Sequence, residues 1–450
     1  MRCIRIISES YLRGVIMKGS RITGLAVLAA VVLLAVSCGG SSKPAATASS
    51  AELTGTLTVW DYYGAATPIK PAIKAFKLLH PGLQINYQAV DWDTFQQKFS
   101  VGVSSGAPPD IATLDMTWVP TYAAQGVLAD VSKLSGGQLN GTPIDSQYTP
   151  GALRAMTYQG RLVAMMYDFD AYALYYRADL FRQKGIAVPK TWAEFSAAAK
   201  QIAQSSGGKL TKYGFQVLPD TFHFAQLLYQ NGGSILDSGN TKAVFNSAAG
   251  VSALEYMKSF LDDGTGVYWG PDQGDSTGIA GIKDQRIAMF LNGPYMMGIL
   301  KSSAPEQKGE WAVAPAPISK QPGSYLGGTG LCIPVNAKNT AAAWAFAQFL
   351  LTPEQQLGVF KYAGAAPATT AALKSPLLTK PDPYFGGQAP FAVFLDAMAT
   401  AKPYPYVQSW DEIDRAITDG VTSALLGNQS AADALNGAAD RTNSLLAGSQ

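Results

Sequence analysis

The 450-residue sequence predicts an α/β protein of two lobes, each a mostly parallel sheet flanked by helices. Strand and helix signals alternate on both sides of the middle of the chain, and the chain is longer than one typical domain. Its composition, 47% hydrophobic and 15% charged, is that of a globular protein. Since open parallel sheets bind ligands at the carboxyl ends of their strands, two facing sheets predict a ligand cleft between the lobes.

The stretch Met17–Cys38 is typical of a bacterial lipoprotein signal. A short positive region precedes an apolar run too short to span a bilayer comfortably, and small residues then lead to the cysteine. The third residue before the cysteine is Ala35, where leucine is usual, so secretion without lipid is the alternative. We expect residues 1–38 to be a signal peptide, with translation starting at Met17 and a lipid on Cys38 that anchors the protein outside the cell membrane.

Composition excludes several classes of function. The formal net charge of +2 is spread along the chain, so no nucleic-acid partner is expected. After signal removal one thiol, Cys332, is left in the folded part, which excludes a disulfide framework there. Two histidines, His80 and His223, exclude most metal sites. We expect no metal, no cofactor and a monomer. Residues 39–53 are small and polar, which predicts a flexible tether.

The first alternation of strands and helices lies between residues 57 and 114. Short β-branched and aromatic runs predict strands, and apolar residues at helical spacing predict helices. The strands are predicted at 57–60, 83–87 and 111–114, and the helices at 68–79 and 93–104. Together they form a βαβαβ unit, which implies a parallel sheet covered by helices.

The alternation resumes after residue 160. Strands are predicted at 162–166, 171–176, 213–217, 287–291, 311–314 and 330–334, and helices at 191–205, 224–230 and 247–262. Thr191 and Glu194 form a capping box that begins the first of these helices. From Thr340 the chain is mostly helical, with further start signals at Thr352 and Ser430.

Several segments, taken in order, carry a family resemblance. They are LTVWDYY (57–63), APPDI (107–111), QGVL (125–128), YDFDAYALYYRADL (167–180), AMFLNGPY (288–295) and GGTGLCIP (327–334). The chain resembles the family 1 extracellular solute-binding proteins of bacterial ABC importers, the group that includes the maltose-binding protein. The resemblance covers nearly the whole exported chain.

The resemblance implies a two-lobed periplasmic-binding-protein-like fold of type II. One lobe would hold residues 54–165 plus 293–336, and the other 166–292 plus 337–450. The chain would cross between lobes near residues 166, 292 and 337. Closure about these crossings would bury a sugar, mono- or oligosaccharide, and the closed form would deliver it to a membrane permease.

A sugar site needs aromatic side chains for the apolar ring faces and carboxylates or amides for the hydroxyls. Tyr62 and Tyr63 follow the first strand, and Asp115 and Trp118 follow the third. The resemblance also places Tyr62 and Tyr63 where the family contacts ligand. Core packing is the alternative for each tyrosine and for Trp118, and a helix N-cap is the alternative for Asp115.

Five further candidates lie later in the chain, and three rest on the resemblance. Asp170 corresponds to a sugar-binding carboxylate of the maltose-binding protein, Tyr295 stands where many relatives have a tryptophan, and Trp410 resembles the family's last aromatic contact, with Tyr406 as the alternative. Phe222 lies in a loop before a helix, and Gly328 would let backbone amides approach a ligand. The expected function is solute binding without catalysis.

Two other functions remain open. Asp61, Asp115 and Asp170 could serve a polyamine-binding protein of the same fold. A secreted hydrolase could use Ser104 in the G-x-S-x-G stretch 102–106, but that motif needs a strand, a turn and then a helix. Here it falls at the end of a predicted helix. The pair Asp168 and Asp170 could in principle cleave a glycoside, although acidic residues this close in sequence are more often ligand acceptors.

Overall fold

The computed structural model describes residues 52–64, 67–207, 209–270 and 278–448. The predicted signal peptide, the lipid site Cys38 and the tether up to residue 51 lie outside these residues, so those predictions remain untested. Within the described ranges, no helix combines the length and apolarity needed to cross a bilayer.

Eighteen strands form the sheets of the described chain. They are β1 Gly55–Asp61, β2 Leu83–Ala89, β3 Ile111–Asp115, β4 Gln138–Leu139, β5 Thr142–Pro143, β6 Thr157–Tyr158, β7 Arg161–Leu162, β8 Met165–Asp170, β9 Ala173–Arg177, β10 Gln204–Ser206, β11 Lys209–Lys212, β12 Phe215–Val217, β13 Gly266–Tyr268, β14 Met289–Asn292, β15 Trp311–Ala314, β16 Ser324–Cys332, β17 Ala366–Pro367 and β18 Ala401–Pro403.

Helices cover and connect these strands. They are α1 Ile69–Leu79, α2 Trp92–Ser104, α3 Val119–Ala124, α4 Val131–Ser135, α5 Pro150–Met156, α6 Ala178–Lys184, α7 Trp192–Ile202, α8 Thr221–Gln230, α9 Ala248–Asp262, α10 Ile279–Lys283, α11 Met296–Ser303, α12 Thr340–Leu350, α13 Pro353–Gly358, α14 Thr370–Leu373, α15 Pro390–Thr400, α16 Trp410–Leu425 and α17 Ala431–Gly448. The predicted capping box is present, since Thr191 accepts from the Glu194 amide and Glu194 accepts from the Thr191 amide.

The predicted βαβαβ unit is confirmed. β1 pairs in parallel with β2 and with β3, and α1 and α2 connect them. The segment predicted as one strand at 162–166 is divided between two strands, since β7 ends at Leu162 and β8 begins at Met165. The strand predicted at 330–334 is longer and earlier, since β16 begins at Ser324.

The main sheet has seven strands, and its directions differ from the mostly parallel arrangement that the sequence predicts. Its order is β17-β8-β16-β3-β1-β2, with β18 beside β16. β16 runs antiparallel to both β3 and β8, and β17 runs antiparallel to β8. The parallel βαβαβ unit is therefore extended by strands from later parts of the chain. Of these, β16, β17 and β18 run opposite to the unit, and β8 runs in the same direction as it.

Two groups of buried apolar side chains make up the interior. The first core comes mainly from residues 57–169 and 296–394, and the second core mainly from 172–291 and 404–446. A three-stranded antiparallel sheet, β14-β9-β15, contributes to both. Along β9, Ala173 and Tyr175 belong to the first core while Leu174 belongs to the second. This alternation follows because successive side chains of a strand point to opposite faces.

The position of the last crossing between the cores corrects the predicted lobe boundary. Residues 337–450 were assigned to the second lobe, yet α12 packs on α1, where the Phe76 and Phe346 rings lie 5.0 Å apart. The chain enters the second core only from Tyr404 onward, after β18. The crossing therefore lies near residues 395–404 and not near 337. The other two crossings, expected near residues 166 and 292, remain predictions.

Candidate functional site

The candidate site begins at the carboxyl ends of β1 and β3. Tyr62 and Tyr63 follow β1, and Asp115 ends β3, so the parallel pairing of these strands brings all three to one edge of the sheet. The Tyr62 and Tyr63 rings stack with centroids 5.4 Å apart. Both side chains are half-buried, so aromatic surface remains open at this edge.

Asp168 ties this edge to the middle of the sheet. Its carboxylate accepts hydrogen bonds from the Tyr63 hydroxyl and, at 2.8 Å, from the Thr329 amide. The Tyr62 hydroxyl and the Thr329 hydroxyl are 2.7 Å apart. Burial raises the pKa of Asp168 to about 6, although its hydrogen bonds with Tyr63 and Thr329 lower that pKa. Asp168 therefore holds Tyr63, and Thr329 of β16 holds Tyr62.

Asp170 is in a different situation. Its Oδ1 atom is shielded from solvent and has no hydrogen-bond partner among the described residues. Burial, followed by the charges of Asp168 and Asp115, raises the pKa of Asp170 well above its ordinary value. Asp115 accepts from Thr117 at 2.8 Å and 2.7 Å, but both bonds fall on Oδ1. The site thus holds two carboxylates with hydrogen-bonding capacity left for a ligand.

Tyr295 packs against both cores. Its side chain is half-buried, and its hydroxyl donates to the Asn292 side-chain oxygen. Burial raises the pKa of Tyr295, and the charges of Asp170, Asp220 and Asp115 raise it further. Asp220 caps α8 in the second core, whereas Asp115 and Asp170 end strands of the main sheet. Tyr295 therefore lies where carboxylates of both cores approach each other.

The second core contributes a cluster of aromatic rings. Phe222 is half-buried and its ring lies 5.3 Å from that of Tyr325 and 5.4 Å from that of Tyr404. Tyr325 also contacts Tyr172 edge-on at 4.5 Å. Phe222 thus adds a half-buried aromatic side chain from α8 to this cluster.

Polar contacts join the two sides. The Gln96 side chain on α2 donates to Asp411 at 2.5 Å, and the Thr121 hydroxyl on α3 donates to the Gln408 carbonyl at 3.0 Å. Tyr406 lies in the same segment, where burial and the charge of Asp115 raise its pKa. The segment before α16 therefore closes over the carboxyl end of β3.

The comparisons with known proteins identify the family. Residues 71–384 match the family described as "Bacterial extracellular solute-binding protein". The chain belongs to this family. The resemblance predicted from the sequence is thereby confirmed, and the remaining candidates can be placed on a solute-binding protein.

Two relatives of this solute-binding protein have names that include a saccharide. The diacetylchitobiose binding protein DasA of Streptomyces coelicolor is 25% identical over 456 residues, covering 96% of this chain and 100% of the relative. The maltooligosaccharide ABC transporter solute-binding lipoprotein of Streptococcus pneumoniae is 24% identical over 366 residues, covering 79% of this chain and 82% of the relative.

The fold comparison agrees with the family. The GacH receptor of Streptomyces glaucescens, solved without ligand and in complex with acarbose, superimposes with a TM-score of 0.78 at 25% identity. The alignment covers 89% of this chain and 100% of that chain. The predicted two-lobed binding-protein fold is confirmed.

Three predicted site residues of the solute-binding protein have structural explanations. Trp118 is only 7% exposed, and its ring lies 5.4 Å from that of Trp92 and 5.9 Å from that of Tyr62. Trp410 is 2% exposed, and its ring lies 4.9 Å from that of Tyr404. Gly328 has a φ of +146°, and a Cβ there would lie 2.2 Å from the Asp168 carbonyl oxygen. This close approach to β8 accounts for the glycine without a ligand.

One residue behind each alternative function, Ser104 for the hydrolase and Asp61 for the polyamine-binding protein, has local hydrogen-bond partners. Ser104 is exposed at the end of α2, and its hydroxyl donates to the Val101 carbonyl at 3.2 Å. Asp61 is fully buried and accepts from the Thr67 hydroxyl at 2.8 Å and the Tyr63 amide at 3.0 Å. Asp61 therefore orders the loop after β1. No group of metal-binding side chains is found among the described residues.

Sequence reasoning missed the residues that contact the site from across the chain. Thr329 bonds both Tyr62 and Asp168, and Gln96 bonds Asp411. Asp414, on the same helix as Asp411, has its pKa raised to about 7, by burial first and then by the charges of Asp220, Asp411 and Asp115. The acidic start of α16 was a visible signal, but its partners lie some 300 residues away and no local pattern indicates them.

Proposed function

We propose that this solute-binding protein captures a mono- or oligosaccharide between its two cores and delivers it to the permease of an ABC importer. The proposal rests on the presence, in one site, of half-buried aromatic rings and of carboxylates with oxygens free to accept hydrogen bonds. Tyr62, Tyr63 and Tyr295 offer rings for sugar faces, and Asp115 and Asp170 offer oxygens for hydroxyls. The ligand names of DasA, of the pneumococcal lipoprotein and of the acarbose complex of GacH support a saccharide.

Binding follows from closure of the site. The contacts Gln96–Asp411 and Thr121–Gln408 draw the segment before α16 against α2 and α3. A saccharide held by the tyrosines after β1 also contacts Phe222 and Tyr406 in this closed form. Ligand binding therefore favours closure, and the closed surface is the one that the permease recognises. The chain binds its solute and does not transform it.

Membrane attachment is the second part of the proposal. A lipid on Cys38 holds the binding protein outside the cell membrane near its permease. The lipoprotein named in Streptococcus pneumoniae supports this arrangement. Labelling with a radioactive fatty acid in the native host tests it, with Cys38→Ala as the control. A label in the native chain and none in the variant is expected, and an unlabelled secreted protein would contradict lipidation.

The function is tested by a thermal-shift screen of the chain lacking its signal peptide. A solute that binds only the folded protein stabilises it, by about 2.7 kcal/mol at a hundredfold excess over Kd. The unfolding midpoint temperature therefore rises. We expect a rise with at least one saccharide and no turnover of that saccharide. A rise with spermidine and with no saccharide would favour the polyamine alternative and overturn the proposal.

A further inference from the structure

The carboxylates around the site come from both cores and lack basic partners. They are Asp115, Asp168 and Asp170 on the first side and Asp411 and Asp414 on the second. Across the described ranges, no Lys or Arg nitrogen lies within 4.0 Å of any of their oxygens. Some other carboxylates of the chain are paired, as Asp179 is with Arg177 at 2.7 Å. The site is therefore acidic without internal compensation.

These carboxylates influence one another across the site. After burial, the charges of Asp168 and Asp115 raise the pKa of Asp170. After burial, the charges of Asp220, Asp411 and Asp115 raise that of Asp414. The charge of Asp115 acts on both Asp170 and Asp414, so the carboxylates of the two sides interact. Arg415 lowers the pKa of Asp411, but burial and Glu412 outweigh it and bring that pKa to about 6.

Two shielded polar atoms near these carboxylates have no hydrogen-bond partner in the part of the chain that the structure describes. The Tyr404 side chain is 2% exposed, and its hydroxyl has no hydrogen-bond partner among the described residues. Burial, the neighbouring Tyr229 and Tyr172, and then the charges of Asp414 and Asp220 raise its pKa. Asp170 Oδ1 is likewise shielded and unpartnered. Buried polar atoms without partners destabilise a protein, so a bound group that bonds them has a clear energetic role.

We propose that the saccharide bound here carries a positively charged amino group, and that this site selects amine-bearing sugars over neutral ones. This inference rests on the proposed function and specifies the ligand class. Neutral hydroxyls donate hydrogen bonds but leave the enclosed carboxylates uncompensated. An ammonium group donates three hydrogen bonds and supplies the missing charge, and charge-assisted bonds are the stronger kind. The stacked rings of Tyr62 and Tyr63 provide for the sugar ring itself.

The test compares matched disaccharides by calorimetric titration at pH 7. The probes are the disaccharide of two glucosamine units, its diacetylated form, in which both amines are capped, and cellobiose, in which hydroxyls replace them. We expect the free-amine disaccharide to bind at least about tenfold more tightly than the other two. Equal or weaker binding of the free amine, with binding of either neutral sugar, would overturn the inference and leave the proposed function standing. Binding of no disaccharide would overturn the inference alone. Binding of spermidine, added as a fourth probe, with no saccharide binding here or in the thermal-shift screen would overturn both.

Variants locate the source of the preference. Asp170→Asn and Asp414→Asn should each reduce the preference for the free amine severalfold. Asp419→Asn is the matched control, because Asp419 lies on the same helix as Asp414, is exposed and pairs with Arg441 at 3.2 Å. Unfolding midpoints show whether each variant is folded. A preference unchanged in folded Asp170→Asn and Asp414→Asn would overturn the assignment.

Discussion

The side chain of Gln96 donates a hydrogen bond to Asp411 across 2.5 Å, although 315 positions separate the two residues in sequence. Gln96 lies on a helix of the first core, and Asp411 begins a helix of the second. Water can replace both partners when the cores separate, so the net stabilisation is about 0.5–1.5 kcal/mol. A contact of this size favours closure without preventing opening, which suits a protein that must release its solute.

Gln96→Ala should weaken saccharide binding by about 0.5–1.5 kcal/mol, because the closed form loses one contact between the cores. Titration calorimetry measures the change. Gln97→Ala is the control, since Gln97 is the exposed neighbour on the same helix. Equal affinities of the two variants would show that the contact has no part in closure.

Tyr295→Ala should reduce saccharide affinity by about 1 kcal/mol or more, since the ring contributes contact area with the sugar. Tyr295→Phe keeps the ring and loses only the bond to Asn292, so its effect should be smaller. Tyr362→Ala serves as the control, because Tyr362 is 39% exposed. A phenylalanine variant as weak as the alanine variant would place the effect in the hydroxyl.

Trp410→Phe should lower stability, by about 1–3 kcal/mol, and leave saccharide affinity nearly unchanged. The reason is that Trp410 is 2% exposed and packs in the second core, with its ring 4.9 Å from that of Tyr404. Urea denaturation and titration of the same sample separate the two effects. A loss of affinity at unchanged stability would restore the ligand-contact role that the sequence predicted.

Stability should fall as pH rises from 5 to 8, and Asp414 should account for part of the fall. Burial raises the pKa of Asp414 to about 7 from a usual 3.8, so the folded state binds its proton more tightly than the unfolded state. The stabilisation that comes from the proton on Asp414 is complete below pH 3.8 and is lost as pH rises through about 7. Urea denaturation at both pH values should show a smaller fall for Asp414→Asn than for the native chain, by on the order of 1 kcal/mol.

Asp419→Asn again supplies the control for the pH experiment, because its carboxylate is exposed on the same helix. Its pH dependence should equal that of the native chain. If Asp414→Asn also matched the native chain, the Asp414 carboxyl would not be the buried group that the structure describes.

The part of the site that depends on local sequence pattern could be predicted from the sequence. Tyr62, Tyr63 and Asp115 were predicted to lie together because parallel strands of a βαβαβ unit end at one edge. The burial of Trp410 was not predictable, since an indole at a helix start looks the same whether its neighbour is a ligand or Tyr404. The antiparallel insertion of β16 and the packing of Phe346 on Phe76 depend on partners distant in sequence. Hydrophobic periodicity predicts which face of a helix or strand is buried, but it does not predict which element packs against that face.

The central claim, a saccharide held between the two cores, is tested most directly by titration calorimetry of residues 39–450 with the saccharide that gives the largest thermal shift. The account predicts one saccharide bound per chain and an affinity loss of about tenfold or more in Asp170→Ala, whose Oδ1 lies unpartnered in the site. Absence of saccharide binding, or binding unchanged in folded Asp170→Ala, would contradict the account.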